Sequence, residues 1–260
     1  MGPASAPVWL AGLWCLLTRP KDAAWRIFPI AYALLSVVFI LSHGKAYYLS
    51  AIYPTLFGFG AVAIERWIGN VMAQRGVLAV IAASGAFFAP LAMPVLPVEA
   101  YIAYAAAIGM GPSVAATERI RLGVLPQQFA DMFGWPEMAG AIARVYHALP
   151  PADQAKAVFF GQNYGEAAAI DVFGRRLGLP PAISTHNQYY LWGPRGADGS
   201  VMIVIGGDER QMAGLFQSVE KMGMIENRYA VPYETDQPIY VLRGLKEPMA
   251  VLWPTLKRYR

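Results

Sequence analysis

Apolar residues dominate the first hundred positions in long unbroken runs and then give way to short stretches separated by polar residues and prolines. Within the first hundred positions, four segments of 18 residues or more carry no charged residue: 1–18, 27–44, 46–64 and 76–98. About 20 residues of helix cross the hydrocarbon core of a bilayer. The last three segments, of 18, 19 and 23 residues, therefore predict transmembrane helices. In the first, the apolar part spans only residues 8–17. No basic residue precedes it, and no small-residue cleavage site follows before Arg19-Pro20-Lys21, so it reads as a truncated membrane helix rather than a secretory leader.

Beyond Pro94 the pattern shortens. Helices are expected over 99–109 and over 136–149, where Met138, Ile142, Val145 and Leu149 fall near helical spacing. Pro150-Pro151 then opens a regular alternation. A strand over 155–160 precedes a helix over 163–177, capped by Asn163. A buried-type strand over 200–205 precedes the turn Gly206-Gly207 and a helix over 209–222, capped by Asp208. Further strands are expected over 229–231 and 238–242, with a closing helix over 249–259. Strands alternating with helices predict a small α/β layer with a partly parallel sheet. The expected organisation is thus 1–98 as transmembrane helices, 99–150 as a connecting helical region and 151–260 as an α/β domain. Roughly 110 residues suffice for one core.

Charge sharpens this picture. Of 260 residues, 56% are hydrophobic and 15% charged, against roughly a quarter charged in soluble domains. Residues 1–98 hold six basic and two acidic residues, and residues 99–260 hold fifteen of each, so the net charge of +4 lies wholly in the apolar half. With no basic stripe on the polar half, a nucleic-acid partner is not expected. Arg19, Lys21 and Arg26 flank one loop, and Arg66 and Arg75 another. The positive-inside rule places both in the cytoplasm. The segment His43-Gly44-Lys45-Ala46-Tyr47-Tyr48, and everything after residue 98, then face outward. Lysine is costly in lipid and tyrosine favours the membrane–water boundary, so 43–54 reads as an interfacial hairpin. Lys45 there either neutralises a lipid phosphate or simply snorkels to the interface. Cys15, the lone cysteine, lies in an apolar run and reads as a small hydrophobe.

Two motifs in the polar half carry chemistry. Gly161-Gln162-Asn163-Tyr164-Gly165-Glu166 follows a strand and opens a helix, a turn that presents backbone N–H groups to an anion. It lacks the third glycine and the downstream acid of a dinucleotide fingerprint, and a capped strand–helix turn, with Gly161 and Gly165 allowing close packing, is the favoured explanation. Ser184-Thr185-His186-Asn187-Gln188-Tyr189-Tyr190-Leu191-Trp192 mixes aromatics with amides, the makings of a carbohydrate surface, or alternatively of a loop packed into the core. The candidates for glycan binding are Asn163, Tyr164, Glu166, His186, Asn187 and Trp192. His43, His147 and His186 have no metal-ligand spacing. No HExxH, GxSxG, P-loop or CxxC motif occurs, and no catalytic residue is assigned.

The segment HGKAYYLSAIYPTLFGFGAVAIERW (43–67) resembles a late transmembrane segment of bacterial glycosyltransferase family 39, the enzymes similar to dolichyl-phosphate-mannose protein mannosyltransferases and aminoarabinose lipid A transferases. LPQQFADMFGWPEMAGAIARV (125–145), FGQNYGEAAAIDVFGRRLG (160–178), HNQYYLWGP (186–194) and residues 233–259, with Trp253-Pro254, resemble the extracytoplasmic portion of the same proteins. The resemblance implies the C-terminal part of a multipass enzyme of the bacterial inner membrane. Such an enzyme transfers a sugar from a polyprenyl-phosphate donor to an extracytoplasmic acceptor, with metal use that varies among relatives. The family's catalytic acids lie in a first outward loop with no counterpart here, so the fragment alone is expected to be inactive. Lys45 and Tyr48 match motif positions near the donor lipid in some relatives, and with His43 they are the candidates for binding the lipid phosphate or substrate. The fold class implied is an α-helical transmembrane segment followed by a small extracytoplasmic α/β domain. The rival reading is a non-catalytic membrane-anchored module that binds glycan or protein.

Overall fold

A computed structural model describes residues 3–18, 23–44, 46–112 and 123–259. Arg19, Lys21, Asp22 and Lys45, on which the orientation and the phosphate contact rest, lie outside them. The chain divides into two compact units, residues 1–108 and 109–260. The expected connecting segment 99–150 is thereby shared between them.

The first unit is helical. Its helices are α1 (Ala6–Thr18), α2 (Ile27–Leu41), α3 (Tyr53–Trp67), α4 (Val71–Ala92) and α5 (Val98–Ala107). Among the described residues, three helical stretches are long and apolar enough to cross a membrane: Ala24–Leu41, Tyr47–Trp67 and Val71–Ala92. The 22 residues of α4, at 1.5 Å per residue, match a hydrocarbon core about 30 Å thick. Apolar side chains cover α2, and α4 beyond Gln74 and Arg75, and most stand exposed, as on helices whose solvent is lipid.

The fourth apolar segment folds differently from its sequence pattern. The helix expected over 76–98 starts at Val71, because the Asn70 side chain accepts from the backbone N–H groups of Met72 (2.8 Å) and Ala73 (3.3 Å). The Gln74 amide donates to the carbonyls of Ile68 (2.7 Å) and Glu65 (3.1 Å), closing the turn between α3 and α4. The expected loop 65–75 thus shrinks to three residues, and Arg75 becomes helical.

Helices α1 and α3 pack with their backbones almost in contact. A Cβ on Gly12 would stand 1.9 Å from the Leu56 carbonyl oxygen, and one on Gly60 would stand 1.8 Å from that of Val8. Small residues at such crossings let membrane helices gain van der Waals contact. Trp9, Tyr32 and Tyr53 then join α1, α2 and α3 through ring contacts of 5.7–6.1 Å.

The second unit is α/β. Its helices are α6 (Gln127–Ala130), α7 (Trp135–Ala148), α8 (Pro151–Gln154), α9 (Tyr164–Phe173), α10 (Gln188–Leu191), α11 (Glu209–Leu215) and α12 (Met249–Leu252). Its strands are β1 (Ala157–Phe160), β2 (Val201–Ile205), β3 (Phe216–Ile225) and β4 (Gln237–Leu245), in the order β1-β2-β4-β3. Strands β1 and β2 are parallel, and β4 runs antiparallel to β2 and β3. The sheet is therefore mixed. One face carries Phe159, Ile203, Ile205 and Val241 against Met138, Ile142 and Val145 of α7 and Ile170 of α9. The other face carries Val158, Met202, Val204 and Leu242, in one cluster with Met249 and Trp253.

Three expectations about this unit are corrected. Residues 209–222 are not one helix. The helix α11 stops at Leu215, where Lys246 Nζ donates to the carbonyls of Ala213 (2.8 Å) and Gly214 (3.0 Å), and β3 follows at once. Pairing with β4 along Phe216↔Leu245 to Ile225↔Gln237 overrides a sequence that reads equally well as helix. Residues 229–231 form no strand; the Asn227 side chain accepts from the N–H groups of Tyr229 (2.9 Å) and Ala230 (3.1 Å), which makes a loop. The closing helix 249–259 is one α-turn and a 3-10 turn, after which Arg258 pairs with His186 in an isolated bridge.

Candidate functional site

In the first unit, α2 ends with the Gly44 N–H donating to the Phe39 carbonyl (2.7 Å), and His43 adopts a positive φ of 53°. A 3-10 helix, Ala46–Ile52, then leads into α3. Tyr47 and Tyr48 therefore sit on a wound segment rather than an open hairpin loop. Their rings touch at 4.8 Å, and Tyr48 also meets Phe39 of α2 at 5.4 Å. Tyr48 is half exposed, so its ring is shared between packing and the surroundings.

In the second unit, the polar side chains converge at the carboxyl ends of the parallel strands. Open α/β sheets bind ligands at this edge. The turn Gly161–Asn163 follows β1, and Gly206–Asp208 follows β2. The register Ile205↔Ile239 brings the β3–β4 connection, residues 226–236, to the same edge. The Gln162 amide donates to the Ile205 carbonyl and locks the first two turns together. Gly206 adopts a φ of +61°, which favours glycine, and a Cβ there would also displace the Gln237 amide oxygen, 2.6 Å away.

Asn163 and Glu166 form a reciprocal cap. The Asn163 Oδ1 accepts from the Glu166 N–H (2.9 Å). The Glu166 carboxylate accepts from the Gln162 N–H (2.7 Å) and the Asn163 side-chain amide (3.0 Å). This is the logic of a capping box, and it assigns both residues a structural role. Asn163→Ala should cost about 1 kcal/mol of stability, read as a lower urea midpoint in tryptophan fluorescence; an unchanged midpoint would contradict the cap.

Burial nonetheless raises the Glu166 carboxyl from 4.5 to about 7, against the lowering effect of those N–H groups. Glu234, in the β3–β4 connection, is also raised to about 7, first by burial and then by the negative charges of Asp131 and Glu166. The structure thus brings a second carboxyl into the field of the first. Sequence reasoning missed Glu234 and Gln162. The available signal was the polar, proline-bounded stretch 232–238, but its position needed the strand register.

Tyr164 and His186 meet at 5.1 Å between ring centres, and His186 Nδ1 lies 3.4 Å from the Tyr164 N–H. Burial and then Arg258 lower the His186 pKa, which favours the neutral imidazole that can accept this bond. Four sequence candidates, Asn163, Tyr164, Glu166 and His186, are therefore gathered around the start of α9. Asn187 contributes backbone: at φ 53° its N–H donates to the Arg258 carbonyl (2.8 Å). Trp192 makes its ring contacts elsewhere, against Tyr189 at 4.6 Å and under the Arg195 guanidinium at 5.0 Å. Asp171 anchors that second group, accepting from Tyr189 Oη (2.9 Å), Arg195 (3.0 Å) and the Ala182 N–H (2.8 Å). Tyr189 is buried and serves packing, whereas Trp192 stands 55% exposed beside it.

Among the described residues, no three His, Cys, Asp or Glu side chains are placed to hold a metal ion. The fold and site define a class: a unit of membrane-length helices followed by a mixed-sheet α/β unit with a polar, aromatic strand edge. No family model, no curated protein and no solved structure matches the chain.

Proposed function

We propose that the chain is the C-terminal part of an integral-membrane glycosyltransferase that uses a polyprenyl-phosphate sugar, with its α/β unit on the outer side of a bacterial inner membrane. The observation that carries this reading is the joining of membrane-length helices to an α/β edge where Tyr164 and His186 rings stand beside amide and carboxyl groups. Aromatic faces stack on sugar rings while amides and carboxyls serve their hydroxyls. The tyrosines of the 3-10 helix, with Lys45, suit the headgroup level, where one lysine attracts an anionic lipid by about 1 kcal/mol. The engagement of Glu166 in a cap favours a second reading for the α/β unit, a glycan-holding rather than bond-breaking role.

The test uses the full chain in nanodiscs with a radiolabelled polyprenyl-phosphate sugar. Binding without turnover is expected. Lys45→Ala should weaken it about fivefold, and Tyr164→Ala should weaken retention of the free sugar up to about tenfold. Absence of donor binding would overturn the transferase reading. Lys45-dependent turnover would overturn the assignment of catalysis to acidic residues not found here.

A further inference from the structure

The second face of the sheet is buried, but only under short elements. A four-stranded sheet is roughly 15–20 Å across, and this face has over it α11, of seven residues, and α12, of four residues with a 3-10 turn after it. The shortfall leaves a cavity of about 270 Å³. Phe160, Met202, Val204, Met212, Leu242 and Met249 line its interior. Its polar residues are Gln162, Asp208 and Gln211, together with the glycine turn after β2. The Asp208 carboxylate is already engaged by the N–H groups of Arg210 (2.8 Å) and Gln211 (3.4 Å), so it caps α11 and does not call for a cationic ligand.

We propose that this cavity holds one hydrocarbon chain of a bilayer lipid. Cavities lined by aliphatic and aromatic side chains take up hydrocarbon. Its volume accommodates about nine groups of roughly 30 Å³ each, the space of a water or a methylene. Three methionines in the lining adapt to a flexible guest without a fixed shape. Leu215 and Leu256 both line the cavity and stand 47% and 41% exposed, so the apolar lining continues to the surface. Next to Leu256, Lys257 Nζ lies over the rings of Tyr190 (5.6 Å) and Tyr259 (4.9 Å). A cation with aromatics beside exposed aliphatics is the composition of a surface that rests at lipid headgroups. The described residues of the same chain include helices of membrane length, so lipid chains are present at high effective concentration. The proposal needs only those helices and stands whether or not the chain transfers a sugar.

The test reconstitutes the full chain in phosphatidylcholine–phosphatidylglycerol vesicles containing a phospholipid with a diazirine at the end of one acyl chain. After irradiation, labelled peptides are mapped by mass spectrometry. Label is expected on peptides covering 202–216 and 242–256, as well as on α2–α4. Met212→Trp, which fills the cavity, should cut the α/β label at least tenfold and leave the label on α2–α4 unchanged. The wild-type chain decides independently of that variant's folding: n-decanol should displace label from the cavity peptides before it affects the helices. Label absent from those peptides, confined to the exposed Val251 and Tyr259, or insensitive to n-decanol would overturn the proposal. So would release of a water-soluble small molecule from the unlabelled cavity on denaturation.

Discussion

Gly60→Leu is expected to leave little of the helical unit correctly packed. The Cβ alone would stand 1.8 Å from the Val8 carbonyl oxygen, a backbone atom that no rotamer change can move away. Helices α1 and α3 must separate, and the contacts at Gly12, which faces the Leu56 carbonyl and the Gly60 N–H, are lost with them. Overpacking costs typically 1–3 kcal/mol in a core where side chains can shift. Here backbone meets backbone, so about 3 kcal/mol or more is expected. Gly58→Leu is the control: it sits on the same helix, two residues away, and its Cβ would meet nothing within 4 Å. Titration of the full chain in mixed micelles with rising SDS, followed by tryptophan fluorescence, measures the difference. Equal midpoints for the two variants would refute the close crossing.

Stability of the α/β unit should fall as pH rises from about 4.5 to about 7. Glu166 and Glu234 titrate near 4.5 when unfolded and at about 7 in the fold. Between these values the folded state holds protons that the unfolded state has released, so the unfolding free energy declines with pH and levels off above 7. A pKa difference of one between the two states is equivalent to about 1.4 kcal/mol. Both side chains are only partly buried, so solvent screening reduces the effect to the order of 1 kcal/mol each. Urea unfolding of the full chain in detergent at pH 5 and pH 7.5 should differ by roughly 2 kcal/mol. Glu234→Gln should halve the slope and stabilise the neutral-pH form, because it removes the charge that faces Asp131 and Glu166. Glu166→Gln should likewise halve the slope while keeping a helix cap, since glutamine serves at this capping position. A flat profile between pH 5 and 7.5 would show that neither carboxyl is held protonated.

The two halves of the chain differ in how much their sequence reveals. The long charge-free runs are legible because lipid imposes a length requirement that water does not, and α2 and α4 lie where composition puts them to within a few residues. Their ends were less legible: Asn70 moved the start of α4 forward by five residues through two hydrogen bonds. In the α/β unit, β1, α9 and β2 follow directly from local signals, an apolar run, the cap at Asn163 and a second apolar run. Residues 216–225 did not, because Phe216, Val219 and Met222 suit a helical face as well as a strand. The choice rested on β4, some 20 residues away.

The candidate site divides along the same line. Asn163 and Glu166 lie three residues apart, so their reciprocal cap belongs to the sequence alone. The contact of Tyr164 with His186, the separate grouping of Trp192 with Tyr189 and Arg195, and the approach of Glu234 to Glu166 are products of tertiary structure. By itself the sequence determined which stretches suit a membrane, where the first parallel strands lie and how their turns are capped, since each rests on composition or on bonds within a few residues. Only the fold decided the mixed strand order, the pair of carboxyls raised to about 7 and the cavity on the second face of the sheet. Each of these depends on which distant segments share an edge of the sheet, a matter of strand register that no local pattern encodes.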